Sequence, residues 1–130
     1  MKKVELVNYW VNSAEVDYKA MNNLFSSRDF VWSLFLGHLV IEKLIKAVAA
    51  NKDVVQIPKI HDLNKLAKAA KITLDDELMD KLDIISSFNI EARYPDYKQE
   101  FYKKCDLKFT SENIKTIKEI RKWLLEIVTK

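Results

Sequence analysis

Glycine is almost missing from this chain. Gly37 is the one glycine in 130 residues, accompanied by two prolines, Pro58 and Pro95. Sandwiches and barrels turn tightly many times, and dinucleotide-binding α/β folds bring backbone against pyrophosphate at several glycines. One glycine serves neither plan. Helices joined by short loops remain, and 48% hydrophobic against 32% charged residues suffice for a packed core under a solvated surface. No repeat, low-complexity tract or linker divides the sequence, so the expectation is one all-α domain over residues 1–130, within the usual range of about 100–200 residues per domain.

Periodicity places the helices. Val7, Trp10, Ala14, Tyr18, Met21 and Phe25 recur in steps of three and four, which predicts an amphipathic helix over about 3–26. Ser26 and Ser27 interrupt it, and Asp29 or Ser27 is placed to cap a second helix running to about Asn51. The first half of that helix, Phe30 to Ile41, is apolar nearly all round, so it is central in its bundle or covered by a second subunit. So few other helices should leave part of it bare, which predicts an oligomer contact, with a dimer as the default symmetry. Residues 52–61 hold Val54, Val55 and Ile57, but one short run without a partner makes no sheet, and Pro58 favours extended backbone before it; a loop is expected. A short helix follows Asp62, with Leu63, Leu66, Ala67 and Ala70 on one face. Thr73 is expected to open a fourth helix, with Asp75, Asp76 and Glu77 in its first turn and the stripe Leu78, Leu82, Ile85 and Phe88. From about Asn89 to Phe109 the period fades and Pro95 stops a helix from continuing. Thr110 or Ser111 then caps a last helix carrying Ile114, Ile117, Ile120, Leu124 and Ile127. The sum is an up-and-down bundle of four to five helices.

Much chemistry is excluded. The net charge of +3 is too small to imply nucleic-acid binding, although residues 103–130 hold 8 basic and 4 acidic side chains against 14 and 15 in the rest. A single cysteine, Cys105, allows no internal disulfide and no thiolate metal cluster, which suits a reducing compartment. The most apolar window runs for about twelve residues where a membrane span needs about 20, and no leader pattern opens the chain, so a cytoplasmic protein off the membrane is expected. There is no phosphate-binding glycine loop. Phe35 stands three residues before His38 and Pro58 three before His61, so neither histidine belongs to a Glu-x-x-His or His-Glu-x-x-His box, and no metal or cofactor is expected.

Three constellations remain. His38, Glu42 and Lys46 follow one another in steps of four, on one helix face at intervals of about 6 Å. They read either as a polar edge with a Glu42–Lys46 pair or as a groove for a phosphate or base. In Pro58-Lys59-Ile60-His61-Asp62-Leu63, Asp62 is the cap, while His61 is a surface or cap-supporting imidazole, or else a phosphate donor or acid/base group. In Ala92-Arg93-Tyr94-Pro95-Asp96, Arg93 can pair with a carboxylate, Asp96 included, or with a phosphate, or the segment simply locks a corner of the fold. Lys115, Lys118 and Lys122, beside Arg121, make a basic stripe that is either solvated or a contact for phosphates or an acidic partner.

Together with Tyr9-Trp10, Ala14 and Asp17, with His38-Leu39, Glu42-Lys43 and Lys46-Ala47, and with Phe109-Thr110 at the last helix, these segments in this order resemble the HEPN domain family. The resemblance covers essentially the whole chain. It implies a helical bundle that forms a homodimer and is often encoded beside, or fused to, a minimal nucleotidyltransferase, and some such pairs look like toxin–antitoxin modules. Other members of the wider superfamily are metal-independent RNases that use an Arg, a polar residue, a short spacer and a His. No arginine here has that His: after Arg93 the positions hold Lys98, Gln99 and Glu100; after Arg28, Ser33, Leu34 and Phe35; after Arg121, Glu126, Ile127 and Val128. The resemblance therefore implies a non-catalytic domain that binds a nucleotide, substrate or RNA for a separate nucleotidyltransferase. Lys46, His61, Arg93 and Tyr94 would be the contact residues, with Glu42, Asp62 and Asp96 in support. The alternatives are an RNase toxin with an altered site, or a purely structural dimerisation module.

Overall fold

A computed structural model of the chain describes residues 2–54 and 56–129; Val55, one of the residues of the expected loop, lies outside them. Among the described residues there are six helices and no strand. They are α1 (Lys3–Ser26), α2 (Phe30–Asn51), α3 (Leu63–Ala69), α4 (Asp76–Arg93), α5 (Pro95–Lys104) and α6 (Leu107–Val128).

The four long helices alternate in direction. Lys3 at the start of α1 reaches Asp53 just past α2 (3.2 Å), so these two run antiparallel. Asn51 near the end of α2 donates to the Val128 carbonyl near the end of α6 (3.3 Å), so those two run parallel. The expected up-and-down bundle is what forms. Its axis is α2, which touches each of the other five helices or, for its partner α1, lies along it in the most extensive pairing of the molecule. Fourteen of its 22 residues are buried. Much of the apolar first half of α2 is thus covered within one chain, and α3 and α5 add contacts on α2 to those of α1, α4 and α6. What stays half-exposed is the stripe Trp32, Phe35, Leu36 and Leu39.

Gly37 stands where α2 meets both α1 and α6. A Cβ there would lie 2.5 Å from Ile117 Cδ1 and 3.2 Å from Met21 Sδ, so the missing side chain sets how closely the helices approach. The buried Ser33 hydroxyl donates to the Met21 carbonyl (2.9 Å) and ties α2 to α1 at the same level.

The scarcity of glycine has a visible consequence at the helix ends. Arg28, Asp53 and Lys71 follow α1, α2 and α3 with φ of 66°, 59° and 60°. Each is followed by an N–H that reaches back five residues: Asp29 to Leu24, Val54 to Ala49 and Ile72 to Ala67. These are Schellman endings, which normally place glycine at the left-handed position.

Several boundaries differ from the sequence expectation. Asp29 holds the N-cap position of α2, but its carboxylate takes the Ser27 hydroxyl (2.8 Å) rather than a helix N–H. Asp75, not Thr73, caps α4, accepting from Leu78 N (2.8 Å). Asp106, not Thr110 or Ser111, caps α6, accepting from Phe109 N (2.8 Å), and Thr110 is buried a turn later. The aromatic stretch expected to be irregular is helix α5. Pro95 starts it from its first turn, where a missing N–H costs nothing, and Phe101 is driven against Phe88 and Phe109. Asp62 caps α3 as expected, accepting from Lys65 N (3.1 Å).

Candidate functional site

Helix periodicity puts His38, Glu42 and Lys46 on one flank of α2. His38 and Glu42 are buried and Lys46 is half-buried. The connection between α2 and α3 crosses this flank and lowers His61 onto it. Two ties hold that connection at its ends: Lys52 donates to the Lys71 carbonyl (2.7 Å), and His61 Nδ1 lies 2.7 Å from Glu42 Oε1.

Partners fix the tautomers. Glu42 can only accept, so His61 donates from Nδ1 and leaves Nε2 free at an exposed ring edge. His38 Nε2 donates to the His61 carbonyl (3.2 Å) and faces Glu42 Oε1 (3.8 Å), while its Nδ1 is buried without a partner. Lys46 takes the other carboxylate oxygen, Oε2 (3.3 Å), and stands over the Trp10 ring, 5.0 Å from its centre. One buried carboxylate therefore organises two imidazoles and an ammonium. Burial holds His38 below the usual histidine range; its bond to the His61 carbonyl and the charge of Glu42 oppose this, and the His61 and Arg93 charges add to it. His38 is neutral at pH 7. The donor atoms of His38, Glu42 and His61 all lie within 4.8 Å of one another.

Ile60 and His61 form the wall between two clefts. One, of about 540 Å³, is lined by Leu6, Trp10, Lys46, Ala50, Ile57 and Lys59 among others. The second, of about 550 Å³, is lined by Asp62, Lys65, Ser86, Asn89, Arg93 and Tyr94 among others. Each cleft thus pairs cations with an aromatic ring, and His61 belongs to both.

Four expected contact residues come together here, but not in one pocket: Lys46 meets His61 in the first cleft, and Arg93 and Tyr94 meet it in the second. Arg93 does not pair with Asp96. Its Nε donates to the Asn89 carbonyl (3.1 Å) and its Nη2 to the Asn89 side chain, with the guanidinium between the rings of Phe35 (5.6 Å) and Tyr94 (5.7 Å). Pro95 turns the chain immediately after Tyr94, so Asp96 falls in the first turn of α5 and faces a different hollow with Glu91, Glu100 and Lys104. Asp62 supports the site through its cap and lines the second cleft. Lys115, Lys118 and Lys122 line a separate groove with Phe25 and Ile114. Arg121 is engaged with α1, 2.8 Å from Glu15 and 3.7 Å above the Tyr18 ring.

Sequence reading missed Trp10 and Asn89 as parts of the site. Trp10 sits in the apolar stripe of α1 and counts there as core, although it walls a cleft. Asn89 precedes Arg93 by one helical turn, a spacing at which a side-chain bond is available.

Comparison with known proteins gives one relationship. No curated protein and no solved structure matches the chain. The family pattern described as the HEPN domain matches residues 7–128, a stretch that enters all six helices. With its helices packed as an up-and-down bundle, the chain belongs to the HEPN domain family.

Proposed function

We propose that this HEPN domain is a non-catalytic binding subunit: it holds a nucleotide phosphate at His61 and presents it to a separate minimal nucleotidyltransferase, in a toxin–antitoxin-like pair. One observation carries the reading. His61 is anchored by Glu42 through Nδ1 and keeps Nε2 free between two clefts, each with a cation beside an aromatic ring. A phosphate accepts from ammonium, from guanidinium and from an imidazole that carries a proton on both nitrogens, and a base stacks on an indole or phenol. The carboxylates and metal for bond making would come from the partner.

A homodimer completes the reading. The half-exposed stripe Trp32, Phe35, Leu36 and Leu39 follows helical spacing and borders Arg93 and Tyr94. A second copy seated there would bring two second clefts close together.

Isothermal titration of the purified chain with adenosine and guanosine nucleotides tests the binding. Binding that weakens at least tenfold in both His61→Ala and Arg93→Ala supports it; equal affinity in the variants removes it. Light scattering should give twice the 15.3 kDa chain mass. Co-expression with a minimal nucleotidyltransferase, where the adjacent gene encodes one, should recover both chains together. A second reading rests on the same Glu42–His61 pair, whose free Nε2 is placed as a general base: the chain would then cleave RNA in chelator, and His61→Ala would stop it.

A further inference from the structure

We propose that His38, Glu42 and His61 form a binding site for a transition-metal dication of the zinc class, seated beneath the wall that divides the two clefts. The donors are His38 Nε2, Glu42 Oε1 and His61 Nδ1. Glu42 Oε1 lies 2.7 Å from His61 Nδ1 and 3.8 Å from His38 Nε2, and all three atoms lie within 4.8 Å of one another. Ligands at about 2.0–2.2 Å from one tetrahedral ion stand roughly 3.3 Å apart, midway between those two separations. To share one centre, the 2.7 Å pair opens and the 3.8 Å pair closes by about half an ångström each, and the two imidazole nitrogens, within 4.8 Å of one another, draw together.

The remaining contacts suit the same ion. The His61 carbonyl is 3.2 Å from His38 Nε2, at the long end of the hydrogen-bond range and ordinary for two ligands of one metal, so it is placed as a fourth donor. Lys46 holds the second oxygen of Glu42 at 3.3 Å, the outer-shell bond that orients a ligating carboxylate. Two imidazoles and a carboxylate are the donor set that zinc, cobalt and nickel accept and that magnesium and calcium do not favour.

Loading asks each ring to change tautomer and leaves both neutral. The proton of His38 moves from Nε2 to Nδ1, the nitrogen that now has no partner. The proton of His61 moves from Nδ1 to Nε2, which becomes a donor at the exposed edge shared by the clefts. The metal would also fasten the connection between α2 and α3 to the central helix. The site is invisible in the sequence because His61 lies 19 residues beyond Glu42 and joins it only through the fold.

The test uses the whole chain, treated with chelator and then titrated with Co2+ and Zn2+. Cobalt should develop visible ligand-field absorption at one equivalent, and zinc at a hundredfold excess over its Kd should raise Tm by roughly 10 °C. His61→Ala should abolish both effects; the ring is exposed, so this variant folds. Because the chain has two histidines, long-range 1H–15N spectra of the unaltered protein report the ligands directly. Zinc should shift His38 Nε2 and His61 Nδ1. The proposal is overturned if neither metal acts on the unaltered chain, if His61→Ala keeps the response, or if zinc moves only the exposed Nε2 of His61.

Discussion

His61 Nδ1 lies 2.7 Å from Oε1 of Glu42, although 19 residues separate them and one is exposed while the other is buried. A buried carboxylate needs partners, and Glu42 has three: His61, Lys46 and, facing it at 3.8 Å, His38. Glu42→Gln keeps the shape but removes the charge that these donors share. It should cost about 1–3 kcal/mol of stability by urea unfolding, and the nucleotide affinity should fall with it. An unchanged urea midpoint would show that Glu42 organises nothing.

Acid should destabilise the protein through His38. Burial holds its folded pKa below the unfolded value of about 6.5. As the pH falls through 6.5 the unfolded chain takes up a proton that the folded chain refuses, so stability declines by at most about 1.4 kcal/mol per pH unit until the folded pKa is reached. Glu42, His61 and Arg93 are the titratable or charged groups facing the ring. In chelator, the difference in stability between the unaltered protein and His38→Gln should narrow from pH 7.5 to pH 5. A constant difference would contradict a neutral buried ring.

Lys71→Gly should stabilise the fold by about 0.5–1 kcal/mol. Lys71 is exposed and holds a φ of 60° that glycine adopts without steric cost. The opposite exchange, Gly37→Leu, should cost about 1–3 kcal/mol, since its first side-chain carbon already meets Ile117 and Met21. Thermal unfolding of the pair distinguishes a glycine that is missing from one that is required.

Cys105 should be nearly inert in the folded protein. Burial, aided by the charge of Glu91, pushes its thiol up to about 12. At pH 8 the thiolate is then scarce by about three orders of magnitude relative to an ordinary cysteine. Alkylation should be slow in buffer and fast in denaturant. Rapid labelling without denaturant would show that the contact of α5 with the core opens readily.

Much of the fold was legible because burial writes its period into the chain. The stripes of α1, α4 and α6 became the faces that meet the core, and Asp62 became a cap. What failed was local. Competing caps lie within a few residues of one another, so Thr73 and Thr110 were read where Asp75 and Asp106 act. Helix α5 is short and contributes a single fully buried side chain, Phe101, too little to show a period. The site was half legible: Glu42 and Lys46 share a helix face and could be paired by spacing, whereas His61, Trp10 and Arg93 arrive from three other elements. Of the partners that spacing offers Arg93, a carboxylate such as Asp96 or a phosphate, Pro95 carries the Asp96 carboxylate away, and Asn89 takes the guanidinium instead.

Ile60 and His61 are a partition, and a partition has two sides. Ile60 and His61 face both clefts, so a guest on the side of Trp10 would meet the same two side chains as one on the side of Arg93. If either guest displaced them, occupancy of one compartment would be felt in the other, with equal strength in both directions.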